Sequence, residues 1–279
     1  MRRRLGRIVH VAYGLLVALF LMLPTLVVLP MSFNDSKSLR FPIKEYSTRW
    51  YQEFFTSERW LEALRNSLVV GISSTVLAVL LGTLAALALT RGLRRTGTLV
   101  SGLLLAPMIV PTIVVGLAMY FFALKLGLAG TYAGLIAAHT VLALPYVVVN
   151  VTSSLSTFDI RLERAARSLG AGPVSAFLRV TIPGILPGIG AGALFAFSLS
   201  FDEVVVSIFL TTAQLTTLPV AMWSGVTVAI DPTVAAISSL LVVVTMAIVI
   251  GMGVARALGT RLRRRRSAAW SKTFEGSQR

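Results

Sequence analysis

The sequence predicts an all-α protein embedded in a lipid bilayer. Three observations carry that prediction: six apolar runs long enough to cross a membrane, the near-exclusion of charge from those runs, and a lopsided distribution of Lys and Arg among the segments that join them. Hydrophobic residues make up 56% of the 279 positions and charged residues 13%, which leaves too little polar surface to wrap a water-soluble globule of this size. A bilayer core of about 30 Å takes roughly 20 apolar residues per helical span. Cysteine is absent, so disulfides and thiolate chemistry are excluded.

The first run, 8–31, follows Arg2, Arg3, Arg4 and Arg7. A cleaved signal has a shorter apolar region and a small-residue processing site, whereas this run continues through Pro24 to Pro30, so a retained first helix is expected. Residues 32–65 mix charges with Trp50, Tyr51, Phe54, Phe55 and Trp60, as expected of a segment at a membrane surface. The second run, 67–90, ends at a basic loop holding Arg91, Arg94 and Arg95. The third, 99–124, contains Pro107 and Pro111, which a membrane helix tolerates when neighbours satisfy the freed backbone groups; a kinked, protein-facing helix is predicted. A short loop around Lys125 leads to the fourth run, 132–155, which carries His139 and Pro145. A polar, helix-forming segment, 156–181, then holds Arg161, Glu163, Arg164, Arg167 and Arg179. The fifth run is 187–210 and the sixth 233–257, and the tail carries Arg261 and the cluster Arg263, Arg264, Arg265 and Arg266.

Of the 26 Lys and Arg, 19 fall in the N-terminus, the loop after the second run, the 156–181 segment and the C-terminal tail. The positive-inside rule makes that group cytoplasmic, with both termini inside. Termini on one side require an even number of crossings, and six satisfies it. The formal charge of +15 does not imply nucleic acid, because it is gathered in loops and ends; the arginine cluster is read as an anchor on anionic headgroups.

The most informative stretch is Leu162-Glu163-Arg164-Ala165-Ala166-Arg167-Ser168-Leu169-Gly170, followed by Val180-Thr181-Ile182-Pro183. A short helix of small residues lets another protein approach closely, and a Gly at its end allows a left-handed turn. Such a helix can pass the movement of a docked motor to its neighbours. The segment resembles the cytoplasmic coupling loop of ABC-importer permeases, whose pattern is Glu-Ala-Ala, three residues, Gly, nine residues, then Ile-x-Leu-Pro. Ala165, Ala166 and Gly170 fall on that pattern, and nine residues separate Gly170 from Val180. It departs in one place: Arg164 stands at the usual Glu position, with Glu163 one residue earlier and positioned to pair with Arg167 four residues on. Pro30-Met31-Ser32-Phe33-Asn34, Trp50-Tyr51 with Asn66-Ser67, Ser200-Phe201-Asp202-Glu203, Thr217-Leu218-Pro219, Met222-Trp223 and Asp231-Pro232 extend the resemblance to the spermidine/putrescine permease group.

That resemblance implies a single permease domain over 1–279, of the type I importer fold with six spans, in the bacterial inner membrane. It implies polyamine import without catalysis by this chain. The chain lacks the Gly-x-x-x-x-Gly-Lys phosphate loop, so ATP and Mg belong on a partner ATPase dimer. The other implied partners are a second, related permease and an extracytoplasmic binding protein. The coupling residues would be Glu163, Arg164, Ala165, Ala166 and Gly170.

Asp202 and Glu203 are the only acids inside an apolar run. On a helix starting near Pro187, Asp202 lies about 22 Å along, in the outer half of the bilayer. An unpaired carboxylate there is costly, so a cavity, a partner or a neutralising group is expected. The two side chains would project about 100° apart, and Asp202 is chosen for the solute path. Tyr146 and Trp223 are further path candidates, able to stack on a cation, although single aromatics are commonly belt or packing residues. His139 reads as a packing or hydrogen-bonding residue. The rival classes are a stand-alone secondary transporter or channel, or a permease for another small solute. A metalloprotease is disfavoured, since His10 and His139 are the only histidines.

Overall fold

The computed structural model describes residues 2–36, 43–92, 96–228, 231–248, 250, 251 and 254. Arg94, Arg95, Arg261 and the cluster Arg263 to Arg266 lie outside the described residues, as does part of the sixth run. The chain forms two compact units, one made of Met1–Thr56 with Val228–Arg279 and the other of Ser57–Thr227.

The first unit contains α1 (Arg2–Met31) and α2 (Arg49–Thr56). The turn after α1 is fixed by side chains: Trp50 Nε1 donates to the Asn34 carbonyl at 2.7 Å. The Tyr51 hydroxyl sits 2.7 Å from Ser32 Oγ and 2.6 Å from Ser239 Oγ, so one phenol joins three segments distant in sequence. Trp50 and Phe54 are buried, as is Trp60 in the second unit, and only Phe55 of the three phenylalanine and tryptophan neighbours in α2 is exposed. These aromatics therefore pack inside the protein instead of forming the surface belt the sequence suggested.

The second unit contains α3 (Glu58–Arg91), α4 (Gly97–Ile109), α5 (Thr112–Lys125), α6 (Tyr132–Thr157), α7 (Ile160–Ser168), α8 (Pro173–Ala176), α9 (Ile182–Asp202), α10 (Val205–Leu210) and α11 (Leu218–Thr227). A π-helical turn, Phe177–Thr181, joins α8 to α9 in one 30-residue helix, Pro173–Asp202. Its centre is a three-helix packing of α3, α6 and α9. Small residues on α3, among them Gly71, Ser74, Ala78, Gly82 and Ala86, recur at three- and four-residue spacing and are buried. In a membrane such a stripe brings backbones close enough for dispersion to hold helices together. Ala78, Ala143, Val147, Val151, Ile185 and Ala196 fill the contact.

Several expected boundaries shift. The second run begins at Glu58, nine residues before the apolar stretch, because Trp60, Ala63 and Ser67 continue its buried face into polar sequence. The third run is two helices bent by 105°. Pro111 pushes Val110 into extended backbone (φ −73°, ψ 135°) and ends α4 there. No residue of α4 is buried in this chain, and Leu103 and Ile109 are 76% and 81% exposed, so α4 is not the protein-facing helix expected. The fifth helix starts at Pro173, not near Pro187, and stops at Asp202, so 173–181 of the polar segment belongs to it. Of the sixth run, Thr233–Ile248 is described as an apolar helix, which we call α12.

The protein is thus an all-helical membrane protein. Among the described residues, four helices are long and apolar enough to cross a bilayer, Val9–Met31, Glu58–Arg91, Tyr132–Thr157 and Pro173–Asp202, with the bent pair α4 and α5 a fifth if counted as one span. A Cβ built on Gly188 of α9 would lie 2.4 Å from Ser154 Cβ and 2.8 Å from the Asn150 carbonyl of α6, whereas one on Gly190 meets nothing within 4 Å. Gly188→Ala should therefore cost about 1–3 kcal/mol of stability through overpacking, and Gly190→Ala close to nothing. Thermal unfolding of the two purified variants in detergent checks this; equal melting temperatures would contradict the close approach.

Candidate functional site

Two regions carry the candidate residues. The first is α7 and the turn that follows it. Asp159 caps its start, the carboxylate accepting from the Arg161 amide at 2.9 Å. At the other end Gly170 takes a left-handed φ of 93°. The Gly170 amide donates to the Arg167 carbonyl at 3.0 Å and the Ala171 amide to Ala166 at 3.1 Å, the paired bonds of a Schellman turn. The turn holds Leu169 out in the open, 89% exposed, beside exposed Leu162 and Val174. Arg164, Ala165 and Arg167 are also exposed. The helix is thus a projecting ledge of small, apolar and cationic groups.

Glu163 points the other way. Its carboxylate accepts from Thr181 Oγ1 at 2.5 Å and pairs with Arg91 at 2.9 Å, with 12% of its side chain exposed. The expected pairing with Arg167 is replaced by one with Arg91, the last residue of α3, because the Thr181 hydroxyl draws the carboxylate inward. Thr181 lies in the π-helical turn that begins the fifth span. Glu163 therefore ties α7 to two long helices. The Thr181 hydroxyl, with help from the Arg91 and Arg167 guanidiniums, holds its carboxyl below the usual carboxylate range.

The second region is the break after α9. Asp202 is its last residue and is exposed; Glu203 is extended (φ −74°, ψ 113°), so the 100° separation expected of a continuous helix does not apply. Glu203 Oε1 accepts from the Val206 amide at 2.9 Å and caps α10. Asp202, Glu203, Tyr146 and Trp223 share no hydrogen bond or ring contact among the described residues. Tyr146 stacks on Phe195 with centroids 6.4 Å apart, and Trp223 is 55% exposed on α11.

Sequence reasoning missed what the buried polar residues do. His139, 1% exposed, lies between Ser200 (2.7 Å) and Ser207 (2.9 Å). Asn66 Nδ2 donates to the Thr216 carbonyl at 3.0 Å and its Oδ1 accepts from the Tyr132 hydroxyl, while Ser67 Oγ accepts from the Leu218 amide at 2.7 Å. Together they clamp the strand of chain before α11 onto α3. Polar residues inside apolar runs were the available signal.

Residues 78–264 match the family described as the inner membrane component of binding-protein-dependent transport systems. The chain is 33% identical over 248 residues to the spermidine/putrescine transport system permease protein PotC of Escherichia coli, covering 88% of this chain and 93% of that one. It is 34% identical over 215 residues to the molybdenum transport system permease protein ModB of Mycobacterium bovis, covering 71% and 80%. Its fold superposes on a chain of a bacterial ABC transporter involved in import of the acidic polysaccharide alginate, with a TM-score of 0.68, 15% identity, and 91% and 96% coverage. The chain belongs to this family of ABC-importer permeases, as a non-catalytic, multi-pass subunit of the inner membrane.

The Glu163 tie carries a pH signature. Because its carboxyl titrates lower when folded, the tie stabilises α7 above the unfolded carboxylate range and is lost as pH falls through the lowered folded value. For a pair with one partly exposed partner the effect is about 1 kcal/mol or less. A nitroxide on Ser168→Cys should be immobile at neutral pH and loosen on acidification, and Glu163→Gln should loosen it at neutral pH already. Spectra that do not change with pH or with the substitution would contradict the tie.

Proposed function

We propose that this permease crosses the bilayer six times as a single domain over residues 1–279, with both termini and α7 in the cytoplasm. In this reading it forms half of the translocation path of a polyamine importer. The observation that carries the reading is Asp202, an exposed carboxylate at the end of α9 where the fifth span breaks. With α9 starting at Ile182, Asp202 lies about 30 Å along the helix, not about 22 Å; at the outer mouth of the span a carboxylate needs water, a partner or a cation to meet it. A cationic solute supplies that partner, and the likeness to PotC over 88% of the chain supports polyamines of the spermidine/putrescine type. Tyr146 on α6 and Trp223 on α11 are the further candidates to offer ring faces to a cation along the path. Glu203, occupied with the Val206 amide, has the structural role.

The sixth crossing is assigned to α12, extended by the rest of the 233–257 run, and the orientation to the 19 Lys and Arg on one side. A different small solute is the second reading, favoured by the 34% identity to a molybdenum permease. An anion would gain nothing from Asp202, which separates the two. The partners are a second permease subunit, an ATPase dimer that binds ATP and Mg, and an extracytoplasmic binding protein. On this chain the ATPase is met by the ledge of exposed Arg164, Ala165 and Gly170 and half-buried Ala166, with Leu169 as its apolar tip. Glu163 contributes from behind, transmitting load to α3 and α9.

Two measurements test this reading. Gly170→Ala meets no neighbour but forces an L side chain to a φ of 93°, at a cost of about 1 kcal/mol. It should weaken co-purification of the ATPase and lower uptake, with the spans still inserted; Gly172→Ala, also in open space but without a positive φ, should do neither. Normal ATPase capture and uptake in Gly170→Ala would remove the turn from the coupling surface. For the solute, Asp202→Asn keeps shape and hydrogen bonding but removes charge. If a polyamine is carried, vesicle uptake should fall by about tenfold or more, equivalent to ~1.4 kcal/mol, while assembly and the binding protein's affinity are unchanged. Wild-type uptake by an assembled Asp202→Asn complex would eliminate the path role.

A further inference from the structure

We propose that His139 is a positioning residue for transport, a latch that holds the short helix α10 in register with the end of α9 across the break at Glu203. This rests on the fifth span lining the path, and adds to it the element that sets the path's geometry.

Helix α6 passes the break side-on. His139, about two turns from its start, reaches Ser200 in the last turn of α9 with Nδ1 and Ser207 in the first turn of α10 with Nε2. One imidazole thus spans the interruption at Glu203 and Val204. Ser200 Oγ continues to Ser74 Oγ on α3 at 2.9 Å, and Ser74 to the Val70 carbonyl at 2.7 Å. Ser74 and Ser207 are completely buried and Ser200 is 5% exposed, so water has no access to substitute for any of these bonds.

Counting protons gives the chain a direction. Each hydroxyl has one proton to donate. Ser74 gives its proton to the Val70 carbonyl, so Ser200 must donate to Ser74, and His139 Nδ1–H must donate to Ser200. In a neutral ring Nε2 is then the acceptor, and Ser207 donates to it. Every member is satisfied only when α10 presents Ser207 to the ring. Moving α10 away leaves a buried Nε2 lone pair and a buried hydroxyl without partners, so the closed position is favoured by that difference.

What the latch holds is a unit of two short helices, α5 and α10. α5 follows the 105° break at Val110 and Pro111, and α10 follows the break at Glu203, and the two pack together. Phe209 of α10 seats on Gly116 of α5, and the Gly130 amide after α5 donates to the Leu210 carbonyl at 3.2 Å. Each break replaces the helical hydrogen bonds that would resist bending. The α5 and α10 pair thus follows two backbone breaks and continues through the 126–131 loop into α6 and the clamped stretch before α11; at the Glu203 break itself, packing and the bond from Ser207 to His139 hold α10 against α6.

The test uses the assembled complex in membrane vesicles and a readout that does not depend on the solute. The chain has no native cysteine, so Val204→Cys reports the break alone. Its labelling rate by an impermeant maleimide, per assembled complex, should rise about threefold, the effect of one interhelical hydrogen bond in a membrane, in Ser207→Ala and in His139→Leu. Ser207→Thr, which retains the hydroxyl, should label as the parent. The double variant His139→Leu with Ser207→Ala should be no faster than His139→Leu alone, since the bond to Ser207 is already lost in His139→Leu. ATP hydrolysed without binding protein should rise with the labelling rate. Parental labelling and ATPase rates in Ser207→Ala, or additive effects in the double variant, would overturn the latch. So would reduced assembly at unchanged rates per complex, which marks a merely structural residue. A failure of polyamine uptake in the parent would sink the solute assignment and leave these rates unaffected.

Discussion

A peptide group in hydrocarbon has no water to turn to, so each N–H and C=O in a span must be satisfied within the protein. Helices α3, α6 and α9 meet that constraint in the simplest way, as long unbroken helices whose small residues let them pack at close range. The rest of the architecture is arranged around the two places where the ladder is interrupted. At Val110 and Pro111 the ring has no N–H to lose, and the Pro111 carbonyl accepts from the Val114 amide at 2.9 Å to restart α5. At Glu203 no proline is present; the residue's own carboxylate caps the Val206 amide, and the Val204 carbonyl accepts from Ile208 at 2.9 Å. The carboxylate just past the end of α9 is thereby given a backbone partner, which accounts for Glu203 in an otherwise apolar run.

The same constraint explains what could be read from sequence and what could not. Class, and the approximate places of the long helices, follow from hydropathy and the charge distribution, because bilayer thickness fixes both. Gly170 was legible from its spacing, and its left-handed φ is what that position requires. The ends of α9 were not legible. Its start is polar, since 173–181 continues the charged segment before the apolar run, and its other end is set by Glu203 turning to cap α10, a tertiary outcome with no apolar period to mark it. Glu163 was assigned to the right element but the wrong face, because pairing four residues along a helix is a local rule and the Thr181 hydroxyl is a non-local competitor. His139 was read correctly as a hydrogen-bonding residue, yet its partners lie 61 and 68 residues away, beyond the reach of any local pattern.

Electrostatics divides the chain into two working surfaces with different rules. In water, around α7, charges are cheap, so the ledge can display Arg164 and Arg167 while Glu163 serves as an internal strut. The strut matters mechanically: it joins α7 to the end of α3 and the start of the fifth span, so a force on the ledge reaches two of the three central helices without bending α7 alone. Inside the bilayer, charge is scarce and the polar contacts are neutral hydroxyl and imidazole groups, which are adequate for position but carry little energy each.

That contrast bears on where the molecule can move. The α3, α6 and α9 bundle is closed by continuous packing of small side chains and offers no joint, whereas α5 and α10 are each attached through an interrupted backbone. A load arriving at Thr181 travels up α9 as a rigid rod and reaches Asp202, its last residue, immediately before the joint. The candidate solute carboxylate and the point where rigidity ends are therefore adjacent in the chain. A displacement of α9 relative to α10 changes the surroundings of Asp202 and strains the Ser200, His139 and Ser207 bridge in the same step, since both straddle Glu203. In the proposed reading, coupling between motor and path needs no long-range wire beyond one helix, with a strut at its base and a hydrogen-bonded bridge at its tip.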